Sequence, residues 1–189
     1  FIDFKRELSL VAVRGTDGSL KYYPLAENSH HQGILRLTVA PAQEISESLQ
    51  KKAESYMISL LTEINHVGVL TLELFDSDDE LIVNEIAPRV HNSGHWTIEG
   101  AQTSQFENHI RAITNSPLGD TSIKSQFNAM INIIGKYGRA NKALETRNAH
   151  LHLYDKKERK NRKLGHITIT SGSYEELQNS IDNLSEYLP

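Results

Sequence analysis

The chain has 189 residues, with 20 Lys plus Arg against 24 Asp plus Glu for a formal charge of −4, and 38% of it is hydrophobic. That composition excludes a disordered chain, and zero cysteines exclude a disulfide framework and any thiolate metal site while fitting a reducing compartment. No apolar run approaches the roughly 20 residues of a membrane-spanning helix, no basic-then-apolar leader is present, and the acidic total argues against general nucleic-acid affinity.

The chain opens on Phe1-Ile2-Asp3-Phe4, apolar and strand-like with no methionine, as though cut from something longer. Residues 8–14 and 19–23 flank Gly15-Thr16-Asp17-Gly18, a hairpin pattern in which the glycines supply positive φ. Residues 24–43 read as irregular, with a short strand at 34–39. From Ile45 to Ile64 the apolar positions Ile45, Leu49, Ala53, Tyr56, Leu60 and Ile64 predict an amphipathic helix ended by Asn65 in a left-handed cap. Extended runs follow at 67–75 and 81–86, joined by the acidic turn 76–80, and Pro88 stops the second. Ser104-x-x-Glu107 is a capping box opening a helix through Phe106, Ile110 and Ile113. Residues 118–126 are the linker candidate. Strands are predicted at 127–134, 149–154 and 164–170, the last two joined by a very basic turn. A second capping box, Ser173-x-x-Glu176, opens a closing helix with Leu177, Ile181, Leu184 and Leu188 on one face. The fold class is α+β, two mainly antiparallel layers with helices packed on them: residues 1–117, the linker 118–126, and a small mainly β domain at 127–189.

Chemistry concentrates on the hairpin 67–86. Strand alternation puts Val69, Thr71, Glu73 and Phe75 on one face, and Leu81, Val83 and Glu85 on one face of the partner strand. A five-residue turn pairs Phe75 with either Leu81 or Val83. Both registers leave Glu73 and Glu85 on the same face, about 4.5–8 Å apart at Cβ. Two like charges there call for protonation or a cation between them, and hard oxygen ligands favour Mg²⁺ shared with substrate phosphates. The plainer reading is a wet outer face of a sheet. The loop that follows tilts the balance, because Arg89, His91, Asn92, Ser93, His95 and Trp96 crowd into eight positions. His91 and His95 stand four apart like zinc ligands on a helix, but Asn-Ser-Gly between them does not favour helix and no third ligand is evident. Trp96 suits a core anchor as well as a substrate contact. Asp76, Asp78, Asp79 and Glu80 lack calcium-loop spacing and read as a solvated turn. His150 and His152 share a strand face, one of them at a domain junction.

The run Asn84-Glu85-Ile86-Ala87-Pro88-Arg89-Val90-His91-Asn92-Ser93-Gly94-His95-Trp96-Thr97 resembles the most distinctive stretch of the 5-(carboxyamino)imidazole ribonucleotide synthetases (the PurK family), ATP-grasp ligases of purine biosynthesis. Arg6-Glu7-Leu8-Ser9, Arg14-Gly15, residues 24–30 and 33–35, residues 150–156 and residues 162–166 extend the resemblance over most of residues 1–170. It implies the C-terminal half of an ATP-grasp domain, an antiparallel sheet with helices, followed by the small domain. This chain carries no GxxxxGK[ST] or GxGxxG phosphate loop of its own, and on that reading it would be inactive alone.

The resemblance further implies ATP and Mg²⁺ as cofactors, with bicarbonate phosphorylated to carboxyphosphate and CO₂ delivered to the amine of aminoimidazole ribonucleotide. Glu73 and Glu85 would be the metal ligands and Asn84 would assist at the nucleotide. Glu7 would accept from the ribose hydroxyls, Phe1 and Ile2 would meet the adenine, and His30 would contact the nucleotide. Arg89, His91, Asn92 and Ser93 would face bicarbonate and the imidazole, since an arginine fork binds carboxylate or phosphate in a bidentate way. Glu7 pairing with Lys5 or Lys21 is the plainer alternative. Six of the eight positions 156–163 are cationic, of which Lys156, Arg162 and Lys163 would grip the ribonucleotide phosphate, apart from the nucleotide at Glu73 and Glu85. The partners implied are small molecules, with a homodimer in a cytoplasmic setting and neither nucleic acid nor membrane. Two rivals stand beside this reading: another ATP-grasp ligase such as the formate-dependent glycinamide ribonucleotide transformylase, and a non-catalytic RNA-binding module using the basic turn. The second would need stacking aromatics, and only Tyr154 is close.

Overall fold

The computed structural model describes residues 2–77 and 80–189, so Phe1 of the opening stretch and Asp78 and Asp79 of the acidic turn lie outside the described residues. Strand β1 (Arg6–Arg14) turns into the short β2 (Leu20–Tyr22) as the hairpin pattern expects, although of the two turn glycines only Gly18 has positive φ, 83°. The stretch read as irregular holds a second hairpin. Its strands, β3 (Ala26–His31) and β4 (Ile34–Ala40), are closed by Gln32 and Gly33, both at positive φ as a tight two-residue turn requires. β3 gives no apolar alternation because it buries polar groups, with Asn28 accepting from the Thr38 hydroxyl at 2.9 Å.

Helix α1 (Glu47–Glu63) starts at Ser46, whose hydroxyl accepts from the Leu49 amide. Its buried stripe is Leu49, Ala53, Met57 and Leu61, a clean i, i+4 row rotated from the expected one, and Ile64 is left half exposed. Asn65 sits at φ 47° as expected. Strands β5 (Gly68–Ser77) and β6 (Glu80–Ala87) follow, then a single 3₁₀ turn at Asn92–Gly94 and the short α2 (Thr97–Gly100). Helix α3 (Gln105–Ile113) has the predicted Ser104 cap, while the Glu107 carboxylate goes to Arg111 instead of back to the cap. The orientation of α3 corrects the expectation: Ile110 and Ile113 are exposed and the helix buries Gln105, Asn108 and Ala112. Strand β7 (Phe127–Ile134), an unanticipated α4 (Ala140–Glu145), β8 (Ala149–Leu153), β9 (Lys163–Ser171) and α5 (Tyr174–Asn183), capped by Ser173, complete the chain.

The strands form one antiparallel sheet, not the two layers expected, in the order β6-β5-β1-β3-β4-β7-β9-β8 with β2 beside β1. The junction is the pairing of β4 with β7, Leu37 opposite Ile131. One face carries two apolar clusters. Leu8, Leu10, Leu70, Leu72 and Leu74 pack with the α1 stripe, and Ala129, Ile131, Ile133, Ile167 and Ile169 pack with Leu177, Ile181 and Leu184. On the opposite face Val11, Val13, Val69 and Met130 meet Trp96 and Ala112. Residues 118–126, read as a linker, are stitched down: Gly119 N–H donates to Asn108 Oδ1, the Thr121 hydroxyl to the Tyr22 carbonyl, and Ala101 bridges to Ile123.

Candidate active site

The α2–α3 face of the sheet holds the polar groups. Ser9, Glu73 and Glu85 lie directly opposite one another across β1, β5 and β6. That the two glutamates share a face was expected, and of the diagonal and opposed arrangements left open the structure has the opposed one, but by another register at the tip. Ser77 pairs with Glu80 and Phe75 with Ile82, so the strands meet across a shorter connection than the five-residue turn. A bulge then lets Leu74 face Val83 while Glu73 faces Glu85, which leaves Asn84 as the extra residue. The bulge restores the register that the alternation argument needed.

Glu73 is largely buried and Glu85 is exposed. Burial raises the Glu73 carboxyl above its ordinary value; His30 and Lys163 pull it down, while Glu85 and Glu7 push it up. His91 Nε2 stands 3.3 Å from Glu73 Oε1, and its Nδ1 takes the Ser93 amide at 3.4 Å and faces the Ser93 hydroxyl at 2.9 Å. Burial first, then Arg89, Lys163 and His30, hold the His91 imidazole down at about 4, so the ring is neutral at pH 7. Lys163 is also pushed down by burial, with Glu73 opposing that shift. Lys163 is thus one of the charges that act on Glu73. Arg89 is exposed and its guanidinium donates to the Val90 carbonyl. Glu7 pairs with His30 rather than with either lysine.

Several expected site residues have other duties in the fold. Asn92 makes a reciprocal amide pair with Asn132 of β7, at 3.0 and 2.7 Å, and Asn132 also donates to the Leu35 carbonyl. Ser93 is fully buried beneath the His91 ring, so it orients the ring and has no surface to offer a substrate. Asn92–Gly94 forms only a single 3₁₀ turn, with His91 and His95 at its two caps and the His91 ring accepting the Ser93 amide. Trp96 is a core anchor, 1% exposed and edge-on to Tyr23. Ile2 and Asn84 are exposed. In the basic turn, Lys156 lies over the Tyr154 ring at 5.2 Å and Arg162 reaches the Lys157 carbonyl at 3.5 Å.

A second polar row crosses the other end of the sheet, with Asn132, His166 and His152 opposite one another on β7, β9 and β8. His166 stacks on His152 at 4.3 Å and bonds Tyr154 Oη at 2.7 Å, while His152 Nε2 meets Glu99 of α2 at 2.8 Å. His152 thus reaches α2 from β8. Sequence reasoning missed Gln105 and Asn132, which hold the 91–95 segment from two sides, and nothing local in their sequence marks them.

Two carboxylates and a neutral imidazole make a partial donor set; among the described residues no three acidic or histidine groups gather as a metal cage. Mg²⁺ suits such a pair because it takes one or two carboxylates and completes its shell with water and phosphate oxygens. The ATP-grasp domain family matches residues 1–106. The chain belongs to the ATP-grasp family. The phosphoribosylaminoimidazole carboxylase C-terminal domain matches residues 128–180. The N5-carboxyaminoimidazole ribonucleotide synthase of Vibrio vulnificus is 45% identical over 188 residues, covering 100% of this chain and 49% of that protein. The Escherichia coli synthase is 43% identical, with 52% of it covered. The chain therefore spans about half the length of the curated relatives it matches. Among solved structures, the Thermus thermophilus synthetase superposes with a TM-score of 0.97 at 51% identity, over 99% of this chain and 52% of that one. The Aspergillus clavatus synthase, solved with ADP and 5-aminoimidazole ribonucleotide, gives 0.91 at 35% identity, over 97% and 52%.

Proposed function

We propose that this chain supplies the cation-binding and substrate-binding wall of an ATP-dependent ligase that carboxylates 5-aminoimidazole ribonucleotide with bicarbonate. The products are 5-(carboxyamino)imidazole ribonucleotide, ADP and phosphate. The observation that carries the reading is the opposition of Glu73 and Glu85 on a strand pair whose end delivers Arg89 and His91. Glu73 and Glu85 would hold Mg²⁺, which when bound neutralises the phosphate charge of ATP. Glu7, paired with His30, would accept from the ribose hydroxyls, with Phe1, Ile2 and Asn84 at the rest of the nucleotide. Arg89 would hold bicarbonate and the carboxyphosphate formed from it, and Lys156, Arg162 and Lys163 would lie toward the ribonucleotide phosphate. Most catalysis in such phosphoryl transfer comes from fixed charge around the transferred group, which the preset pair on a rigid sheet suits. Residues 1–117 would serve as the ATP-grasp part and 127–189 as the small domain, in a homodimer.

A chimera in which this chain replaces the matching half of the Thermus relative tests the reading. It should release ADP only with both bicarbonate and aminoimidazole ribonucleotide, and Glu73→Gln or Glu85→Gln should cut that rate at least a hundred-fold, about 2.7 kcal/mol of barrier. ADP release with glycinamide ribonucleotide and formate instead, or full rates in the glutamine variants at ordinary Mg²⁺, would overturn it.

A further inference from the structure

On the side away from Asn132, the segment 91–95 is held by the fully buried amide of Gln105 at the start of α3. Its Oε1 accepts the His91 N–H at 2.9 Å and its Nε2 donates to the His91 carbonyl at 2.7 Å. Nε2 also faces His95 Nδ1 at 3.1 Å, and the Gln105 backbone amide donates to the Thr97 hydroxyl at 3.0 Å. Packing leaves the amide no slack: a Cβ on Gly94 would stand 2.7 Å from Oε1. Flipping the amide would set its NH₂ against the His91 N–H and its oxygen against the His91 carbonyl, two repulsive contacts, so the orientation is determined.

Proton positions follow. An amide nitrogen can only donate, so His95 Nδ1 accepts and His95 carries its proton on Nε2. At His91 the Ser93 N–H points at Nδ1, so that ring too carries its proton on Nε2, the nitrogen facing Glu73 Oε1. We infer that Gln105 is a positioning residue for Glu73: it fixes the His91 backbone so that the ring presents Nε2–H to one Glu73 oxygen and leaves the other for a cation. This rests on the reading of Glu73 as a cation ligand. Partners of this kind, one step removed from a metal ligand, orient it without touching the metal.

Two-bond ¹H–¹⁵N correlation spectra of the 189-residue chain report the tautomer of each histidine. In the wild type, His91 and His95 should both carry the proton on Nε2; either ring protonated on Nδ1 overturns the inference, whatever a variant does. In Gln105→Met, shown folded by its melting transition, the single tautomers at His91 and His95 should be lost. Gly94→Ala, which drives a methyl into the same amide, is read in the same way if Gln105→Met does not fold. In the chimera, Gln105→Met should raise the Mg²⁺ concentration for half-maximal rate about ten-fold, with the Michaelis constant for the ribonucleotide little changed. Unchanged tautomers in a folded variant, or an unchanged Mg²⁺ requirement, would overturn the inference. An inactive unsubstituted chimera with the expected tautomers would instead count against the proposed function alone.

Discussion

At the scale of single residues, the arrangement turns on Glu73 being held between opposing influences. Burial and the carboxylates of Glu85 and Glu7 favour its protonated form, while His30 and Lys163 favour the ionised one. Lys163 and Arg162, neighbours in sequence and both expected at the substrate phosphate, sit in different surroundings. Lys163 opens β9 and is electrostatically coupled to Glu73, whereas Arg162 turns back to the Lys157 carbonyl. Removing the Lys163 charge should raise the Glu73 carboxyl further, because one of the two groups pulling it down is lost. Titration of the side-chain carboxyl carbon of Glu73 should thus move upward in Lys163→Met and stay in place in Arg162→Met. In the chimera, Lys163→Met should raise the Michaelis constants for both ATP and the ribonucleotide, while Arg162→Met raises that for the ribonucleotide alone, by about ten-fold. Identical profiles for the two variants would show that the turn acts as one diffuse cationic patch.

At the scale of elements, α3 shows where hydrophobic patterning misleads. Its apolar residues Ile110 and Ile113 face outward, and its inner face is held by the amide of Asn108. Asn108 Oδ1 accepts the Gly119 N–H at 2.8 Å and its Nδ2 donates to Tyr23 Oη at 2.9 Å, which in turn donates to the Thr103 carbonyl. Asn108→Ala leaves the buried Gly119 amide without its partner and should cost about 2–4 kcal/mol in urea unfolding. Ile110→Lys should stay within about 0.5 kcal/mol of wild type, as a surface substitution does; the reverse ranking would mean that α3 packs the other way round. The alternation of Glu73 and Glu85 was legible because a strand period of two is local. So were the caps at Ser104 and Ser173, each set by one hydroxyl and an amide three residues on. The inward polar faces of α3 and β3 were not: Asn108 finds its partners at Tyr23 and Gly119, and Asn28 meets Thr38 across a hairpin whose first strand lay in a stretch read as irregular. The β6 bulge was equally hidden: nothing in the residues around Asn84 announces an extra residue, yet it decides that the two carboxylates meet.

At the scale of the whole molecule, one sheet runs through both family-matched segments, and its α2–α3 face carries buried histidines toward the junction. Burial pushes His91 and His95 down to about 4 and His166 to about 3, with neighbouring cationic or histidine groups adding to the effect. Around them stand Glu73, Arg89, Lys163, His30 and the Glu99–His152 pair, with Tyr154 bonded to His166. In the unfolded chain each ring takes up a proton near its ordinary value of 6.5, whereas the folded chain resists until about 4 or 3. Between those limits the unfolded state binds more protons, so folding stability is fully present above pH 6.5 and is lost as pH falls through that window. Each histidine contributes at most about 1.4 kcal/mol per pH unit. Glu73, with its raised value, works in the opposite sense near the acid end, because its protonation relieves a buried charge. Urea unfolding followed from pH 7 to pH 5 should therefore show a steep fall in stability, accompanied by proton uptake on unfolding. His166→Phe should flatten the slope by about one proton's worth, roughly 1.4 kcal/mol per unit. A stability that stays level from pH 7 to pH 5 would mean that these rings are already protonated in the folded chain, and that the cluster joining α2 to β8 and β9 is held by charge instead of by neutral stacking.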